Sequence, residues 1–294
     1  MNLVMTLIAT ACSRNPLAGV AAAVAAILPG RPTPHWLAAD EACDLAFDGS
    51  DTDAVGEVAR NLIGAAGIDM LVQPAAGRRK RLLVADMEST IIENEMLDEL
   101  ADFLGLRPQV AEITRRAMNG EVDFVGALEQ RVALLKGMPA GILDEAAARI
   151  RLMPGAQALV ATMHGNGAET ALVSGGFGVF AEPVATALGF DHLVANHLDI
   201  ADGRIVGTVR LPIVTRDTKR DTLLRLAAER GLSRHETIAV GDGANDLPML
   251  AAAGLGIAFR AKPAVIAAAR WRIDHADLTA LLYAQGYRRE EIAA

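Results

Sequence analysis

Three short apolar runs constrain this chain more than any other feature of it. Residues 82–85, 170–173 and 238–240 each break directly into a polar segment, glycine-bearing in the last two. The first gives Asp86-Met87-Glu88-Ser89-Thr90, the second Ser174-Gly175-Gly176, and the third Gly241-Asp242-Gly243-Ala244-Asn245-Asp246. Short unbroken apolar runs suit strands buried on both faces. Helical patterns separate them, up to residue 188 and over 218–230. Strands alternating with helices predict an α/β chain with a Rossmann-like parallel sheet covered on both faces. Such a sheet takes its ligands beyond the carboxyl ends of its strands. The three polar segments are therefore expected along one edge.

The remaining pattern fills in around that sheet. Residues 256–259 read as a further strand, and 198–200 with 205–211 as a hairpin turning at Asp202-Gly203. Residues 93–153 read as an all-helical block. Within it, 94–104 repeats Met96, Leu97, Leu100, Phe103 and Leu104, and 124–135 repeats Phe124, Val125, Leu128, Val132 and Leu135 at helical spacing. Upstream, a strand over 3–9, an Ala-rich helix over 17–28, short runs at 35–38 and 43–47, a helix over 51–63 and a strand over 68–72 give the order β-α-β-β-α-β. That order predicts a small two-layer α+β module. Residues 73–81, with Pro74, Gly77, Arg78, Arg79, Lys80 and Arg81, read as a solvated linker. The expected division is a module over 1–77 and a larger domain over 78–294.

Charge and cysteine usage remove several function classes. The chain has 36 acidic and 28 basic residues, a net charge of −8. That balance argues against nucleic-acid and membrane-surface partners, which are held mainly by Lys and Arg. Cys12 and Cys43 form no CxxC pair and read as reduced, packed side chains. No basic residue precedes the apolar start, so a secretory signal is not expected, and the Ala-rich run is too short to span a bilayer. A soluble, cytoplasmic protein is the expectation. Trp36 and Trp271 read as packing residues.

Asp86, Glu88, Asp242 and Asp246 would crowd several negative charges at the predicted sheet edge. Crowded carboxylates require a counter-ion, and a hard oxygen-rich set suits Mg²⁺. Backbone N–H groups at glycine-rich turns suit an anion. Cation and anion cradle together point to phosphoryl chemistry, with one carboxylate attacking phosphorus and a second acting as acid and then base. Taken singly, each segment matches an ordinary turn or helix cap. No GxxxxGK[ST] or GxSxG stretch occurs, and the glycine spacing does not fit a dinucleotide fingerprint. The six histidines are scattered.

In this combination and order, the segments resemble the haloacid dehalogenase superfamily of phosphatases, and within it the branch acting on O-phospho-L-serine. The resemblance runs from Arg81 to the C-terminus and also takes in Glu95 and Lys219. It implies Asp86 as nucleophile and Mg²⁺ ligand, the backbone carbonyl of Glu88 and Asp242 as further ligands, and Asp246 behind the metal's waters. It implies Ser174 and Lys219 on the transferring phosphoryl group, with Gly175 and Asn245 lining the pocket. Glu95 would face the substrate ammonium, Arg131 its carboxylate, and Met118 and Phe124 would form an apolar lid on a small helical cap over about 93–153. The residues alone leave Phe124 open to plain core packing, and Glu95 and Arg131 to solvated helix positions. The N-terminal module is similar to ACT-like modules, through which the chain could form an oligomer. The implied activity is release of L-serine and phosphate, the last step of serine biosynthesis. A related phosphomonoesterase or phosphotransferase, or a non-catalytic amino-acid sensor, are the alternatives. One residue departs from the pattern: the family's acid/base is a second Asp, and here it is Glu88, whose extra methylene moves the carboxyl by about 1.5 Å.

Overall fold

The computed structural model describes residues 2–10, 16–49, 52–118 and 121–294. Cys12 lies outside the described residues. The chain opens with β1 (Asn2–Ala9), α1 (Leu17–Ile27), β2 (His35–Ala38), β3 (Ala42–Asp48), α2 (Thr52–Ile63) and β4 (Ile68–Pro74). These strands form an antiparallel sheet in the order β2-β3-β1-β4. β1 is central, and all of it after Asn2 is buried. Its apolar run, interrupted by Thr6, has a simple cause: α1 and α2 pack from one side and the C-terminal segment from the other. On that second side, the Gln73 amide donates to Ala284 O at 2.6 Å.

A second sheet follows. Its strands are β5 (Leu82–Ala85), β6 (Glu169–Phe177), β7 (His192–Asn196), β10 (Thr237–Gly241), β11 (Leu255–Phe259) and β12 (Trp271–Ile273). All pairings are parallel, in the order β12-β11-β10-β5-β6-β7. β8 (Leu198–Ala201) and β9 (Arg204–Val209) form the separate hairpin. From β5 the chain runs outward through β6 and β7, then returns to β10 and leaves on the other side. The reversal of direction falls between β5 and β10, where open α/β sheets bind ligands.

Side-chain alternation along β5 serves both faces. Leu82 and Val84 join one apolar cluster with Leu223, Leu226 and Met249, while Leu83 and Ala85 join another with Leu159, Phe180 and Val184. Helices α7 (Ala156–Gly165) and α8 (Gly178–Leu188) thus cover one face, and α9 (Arg216–Glu229) and α10 (Leu247–Ala252) the other.

Between β5 and α7 stand α3 (Met96–Phe103), α4 (Arg107–Met118), α5 (Phe124–Ala133) and α6 (Gly141–Ala147). This excursion leaves and re-enters the core through two adjacent strands of chain. Met153 N donates to Ile91 O at 2.9 Å, and Glu93 N to Arg151 O at 2.8 Å. The β8–β9 hairpin touches it from the side, with Gly137 N donating to Ile205 O at 2.8 Å. The chain closes with α11 (Pro263–Ala268) and α12 (Ala280–Ala284). Among the described residues, no helix is long and apolar enough to cross a membrane.

Within the basic run at 78–81, Arg79 and Arg81 are exposed as read, but Arg78 and Lys80 differ from a solvated linker. The Arg78 side chain is only 13% exposed. Its guanidinium donates to both carboxylate oxygens of Asp44, at 2.6 and 3.0 Å, and to Ala284 O at 3.2 Å. Lys80 is buried, its ammonium donating to Gly77 O and His235 O. Carbonyls at the ends of α12 and before β10 lack helical or strand partners, and these cations satisfy them. Trp271 packs as expected at 5% exposure, whereas Trp36 is 38% exposed. Cys43 is buried and free, and burial beside Asp44 pushes its thiol up to about 12.

Candidate active site

β5 and β10 end side by side, with Val240 paired to Ala85. Asp86 and Asp242 therefore leave neighbouring strands within one residue of the same height. Asp86 N donates to Val240 O at 3.0 Å, which fixes the turn after β5. The loop after β10 folds back on itself: Asp246 accepts from Gly243 N at 2.9 Å. A Cβ at Gly241 would collide with the Asp246 side chain, so only glycine lets that carboxylate tuck under the strand end. Carboxylate oxygens of Asp86, Asp242 and Asp246 consequently lie within 4.8 Å of one another, all three buried.

Lys219 enters this cluster from α9, whose start is fixed by Thr215 and Thr218 in a reciprocal capping box. Its ammonium is 2.5 Å from Asp86 Oδ1 and 2.7 Å from Asp246 Oδ1, and its side chain is 1% exposed. Burial alone would lower its affinity for a proton; Asp86 and Asp246 reverse that and hold the ammonium above the usual lysine range. One buried cation, with the solvent-exposed Lys262 ammonium 3.1 Å from Asp242 at the edge, leaves three carboxylates with an excess of negative charge. Burial and then the Asp246 charge push the Asp86 carboxyl well up, with Lys219 opposing. Asp242 is also raised, by burial first. A buried set of hard oxygen donors with unbalanced charge fits a divalent cation.

Ser174 and Gly175 come from β6, which runs on through Phe177 rather than stopping before Ser174. The ladder to β7 breaks between Val173 and Phe177, freeing this stretch to face the site. Ser174 is fully buried, and its Oγ accepts from Gly176 N at 2.9 Å. Asn245 stands beside Gly243 in the β10 loop.

Glu88 reaches up from the β5 loop to the first turn of α3, where its Oε1 accepts from Met96 N at 3.0 Å. A Cβ on Gly176 would stand 2.9 Å from that same oxygen. Burial, with Glu95 adding, pushes the Glu88 carboxyl up to about 7, against the pull of Met96 N–H, Lys219 and Arg131. Glu95 is half-buried and accepts from Ser89 Oγ at 2.9 Å. Arg131 on α5 sits in the field of Asp98, Glu88 and Glu95, and burial lowers its guanidinium's proton affinity. Phe124 is 42% exposed, so it is not a core residue; a Cβ on Gly175 would stand 3.5 Å from its Cζ. Its ring thus lies across the opening from β6. Met118 ends α4, and its side chain lies outside the described residues.

The sequence reading missed Lys262. It follows β11, the fourth strand end on this edge, and its ammonium is 3.1 Å from Asp242 Oδ2 and 3.3 Å from Glu95 Oε1. Extending the strand-end rule from three runs to 256–259 would have found it. Gly176, read only as part of its segment, was not singled out for its closeness to Glu88.

Three buried carboxylates, a buried lysine and a further acid with raised proton affinity at the switch point of a parallel sheet are the equipment of phosphoryl-transfer chemistry. The chain belongs to the haloacid dehalogenase-like hydrolases, whose family model matches residues 83–251. Among curated relatives, the phosphoserine phosphatase of Streptomyces coelicolor is 42% identical over 255 residues, covering 86% of this chain and 62% of that one. The phosphoserine phosphatase of Streptococcus thermophilus is 48% identical over 199 residues, covering 68% of this chain and 93% of that one. A solved hydrolase of the same family from Salmonella enterica serovar Typhi superposes with a TM-score of 0.86 at 29% identity, covering 96% of this chain and 97% of that one.

Proposed function

We propose that this chain is a Mg²⁺-dependent phosphatase hydrolysing O-phospho-L-serine to L-serine and inorganic phosphate through a phosphorylated Asp86. The observation that carries this reading is the contact of Asp86 with Lys219 at 2.5 Å within the triad of buried carboxylates. The names of the curated relatives support the substrate. Asp86, the backbone carbonyl of Glu88 and Asp242 would hold the metal, with Asp246 ordering its waters. When bound, Mg²⁺ supplies positive charge against the phosphoryl oxygens and lets the carboxylates stay ionised together.

The chain's own residues then divide the work. Lys219 and the Ser174 hydroxyl hold the phosphoryl oxygens, Lys219 as a point charge that needs no reorganisation. An Asp86 oxygen attacks phosphorus as the bond from phosphorus to the serine oxygen breaks. That leaving oxygen takes the proton carried by Glu88, which its raised proton affinity keeps populated near neutral pH. Water then attacks phosphorus, giving its proton to Glu88, and the Asp86–phosphorus bond breaks to release phosphate. Glu95 and Arg131 pair with the ammonium and carboxylate of the amino acid. Phe124, with Met118, closes over Gly175 and Asn245 to exclude bulk water.

Residues 78–294 form the phosphatase domain in this reading, with the cap over about 93–153, and 1–77 an ACT-like module through which copies associate. The reading places the enzyme in the cytoplasm, at the last step of serine biosynthesis. Phosphate release from phosphoserine, phosphothreonine and phosphosugars with Mg²⁺ tests it: phosphoserine is the preferred substrate, and Asp86→Asn abolishes turnover. Substantial turnover by Asp86→Asn would remove the nucleophile from the argument.

A further inference from the structure

The two lysines of the site differ in one respect. Lys219 is sealed in, at 1% side-chain exposure, whereas the Lys262 side chain is 60% exposed and reaches in from solvent. Lys262 is tied to Asp242 at both ends. Its backbone N donates to Asp242 O at 3.1 Å, and its ammonium returns to Asp242 Oδ2 at 3.1 Å. Pro263 opens α11 immediately after it, which holds the backbone at this point. The same ammonium meets Glu95 Oε1 at 3.3 Å. A single side chain therefore occupies the carboxylate assigned to the metal and the carboxylate assigned to the substrate ammonium.

We infer that Lys262 is a tethered place-holding cation, which the divalent ion displaces from Asp242 and the substrate ammonium displaces from Glu95. This rests on the metal and substrate roles proposed above. The physical argument is one of like charges. A divalent ion on Asp242 and an ammonium on the same carboxylate repel at contact distance, and the neighbouring buried carboxylates, Asp86 and Asp246, already share the Lys219 ammonium. Lys219 cannot leave, because water does not reach it; Lys262 can, by rotating its flexible stem outward. In the metal-free protein, Lys262 offsets the repulsion between Asp242 and its two neighbours. In the loaded protein that task passes to the metal, and Glu95 is released for the substrate.

The test is Mn²⁺ binding to the metal-free full chain, followed by calorimetry without substrate, for the unmodified protein, Lys262→Met, Lys262→Gln and Lys262→Arg. The two neutral variants bind Mn²⁺ about fivefold tighter, the scale of a partly exposed ion pair near 1 kcal/mol, and Lys262→Arg stays with the unmodified protein. Unchanged or weaker binding by both neutral variants, with normal binding by the unmodified chain, overturns the inference alone. No Mn²⁺ binding by the unmodified chain overturns the metal assignment, and the inference with it.

Discussion

The longer acid at position 88 is accommodated by the missing side chain at Gly176, and this can be tested by moving a methyl group between the two positions. In Gly176→Ala the new Cβ would stand 2.9 Å from Glu88 Oε1 and 3.1 Å from Cδ, where ordinary contact begins at 3.4 Å. The Glu88 carboxyl must retreat by about 0.5 Å, which strains its 3.0 Å bond from Met96 N. Misplacing a reacting group by about 1 Å costs on the order of a hundredfold, so half that shift should lower kcat about tenfold. Glu88→Asp withdraws the carboxyl by about 1.5 Å and clears the methyl group. In that background Gly176→Ala should cost about twofold or less. The residual term comes from Ser174 Oγ, 3.1 Å from the new Cβ, and it cancels between backgrounds. Single-turnover phosphate release from phosphoserine by the four proteins of the cycle gives the coupling, expected near 1 kcal/mol. An equal loss in both backgrounds would refute the idea that Gly176 makes the space for Glu88.

Two further outcomes follow from the buried cations. Lys219→Met leaves Asp86 and Asp246 buried without their ammonium, which should cost about 3–5 kcal/mol in urea unfolding of the metal-free protein, with part of the loss recovered on adding Mg²⁺; an unchanged midpoint would contradict it. Lys80 has its proton affinity lowered to about 8, by burial and then by Arg78, from 10.5, so its buried charge opposes folding below pH 8 and ceases to do so as pH rises from there to its unfolded value. Unmodified protein should therefore gain on the order of 2 kcal/mol relative to Lys80→Met between pH 7 and pH 10, read as the difference between their urea midpoints; a constant difference would show that Lys80 does not titrate in this window.

What the sequence disclosed depended on how local each signal was. β5, β6 and β10 were legible because central parallel strands must be apolar on both faces, and the chemistry begins where that requirement stops. β7 and β12 were not. β7 is half-buried along most of its length and carries His192 and Asn196, and β12 has three residues with Arg272 in the middle. Edge strands need only one neighbour, so their pattern is weak. Asp86, Asp242 and Asp246 sit within a few residues of their strand ends and were found by position alone. Glu95 and Arg131 come from separate parts of the helical excursion, and tertiary packing brings Arg131 into the field of Glu95, so resemblance supplied them and spacing could not. Arg78 and Lys80 were misread because a run of cations looks solvated until the carbonyls it serves are in place.

The position of Lys262 depends on more than its own sheet. Asp69, on β4 of the first sheet, accepts from Asp274 N at 2.8 Å, His275 N at 3.1 Å and Ala276 N at 2.8 Å. A carboxylate receiving three backbone N–H groups fixes that turn strongly. Ala276 O in turn accepts from Arg260 Nη2 at 3.2 Å, and Arg260 N donates to Ile273 O at 2.8 Å. Arg260 holds a left-handed backbone, φ 42°, two residues before Lys262. A non-glycine residue persists there only where its surroundings over-determine it, and here they do so from both sheets. The loop that carries the exchangeable cation is thus braced through a buried carboxylate of the N-terminal sheet, although no residue of that sheet enters the site. This brace gives a shift of β4 a bonded route to the loop that carries Lys262, and through Lys262 to Asp242 and Glu95.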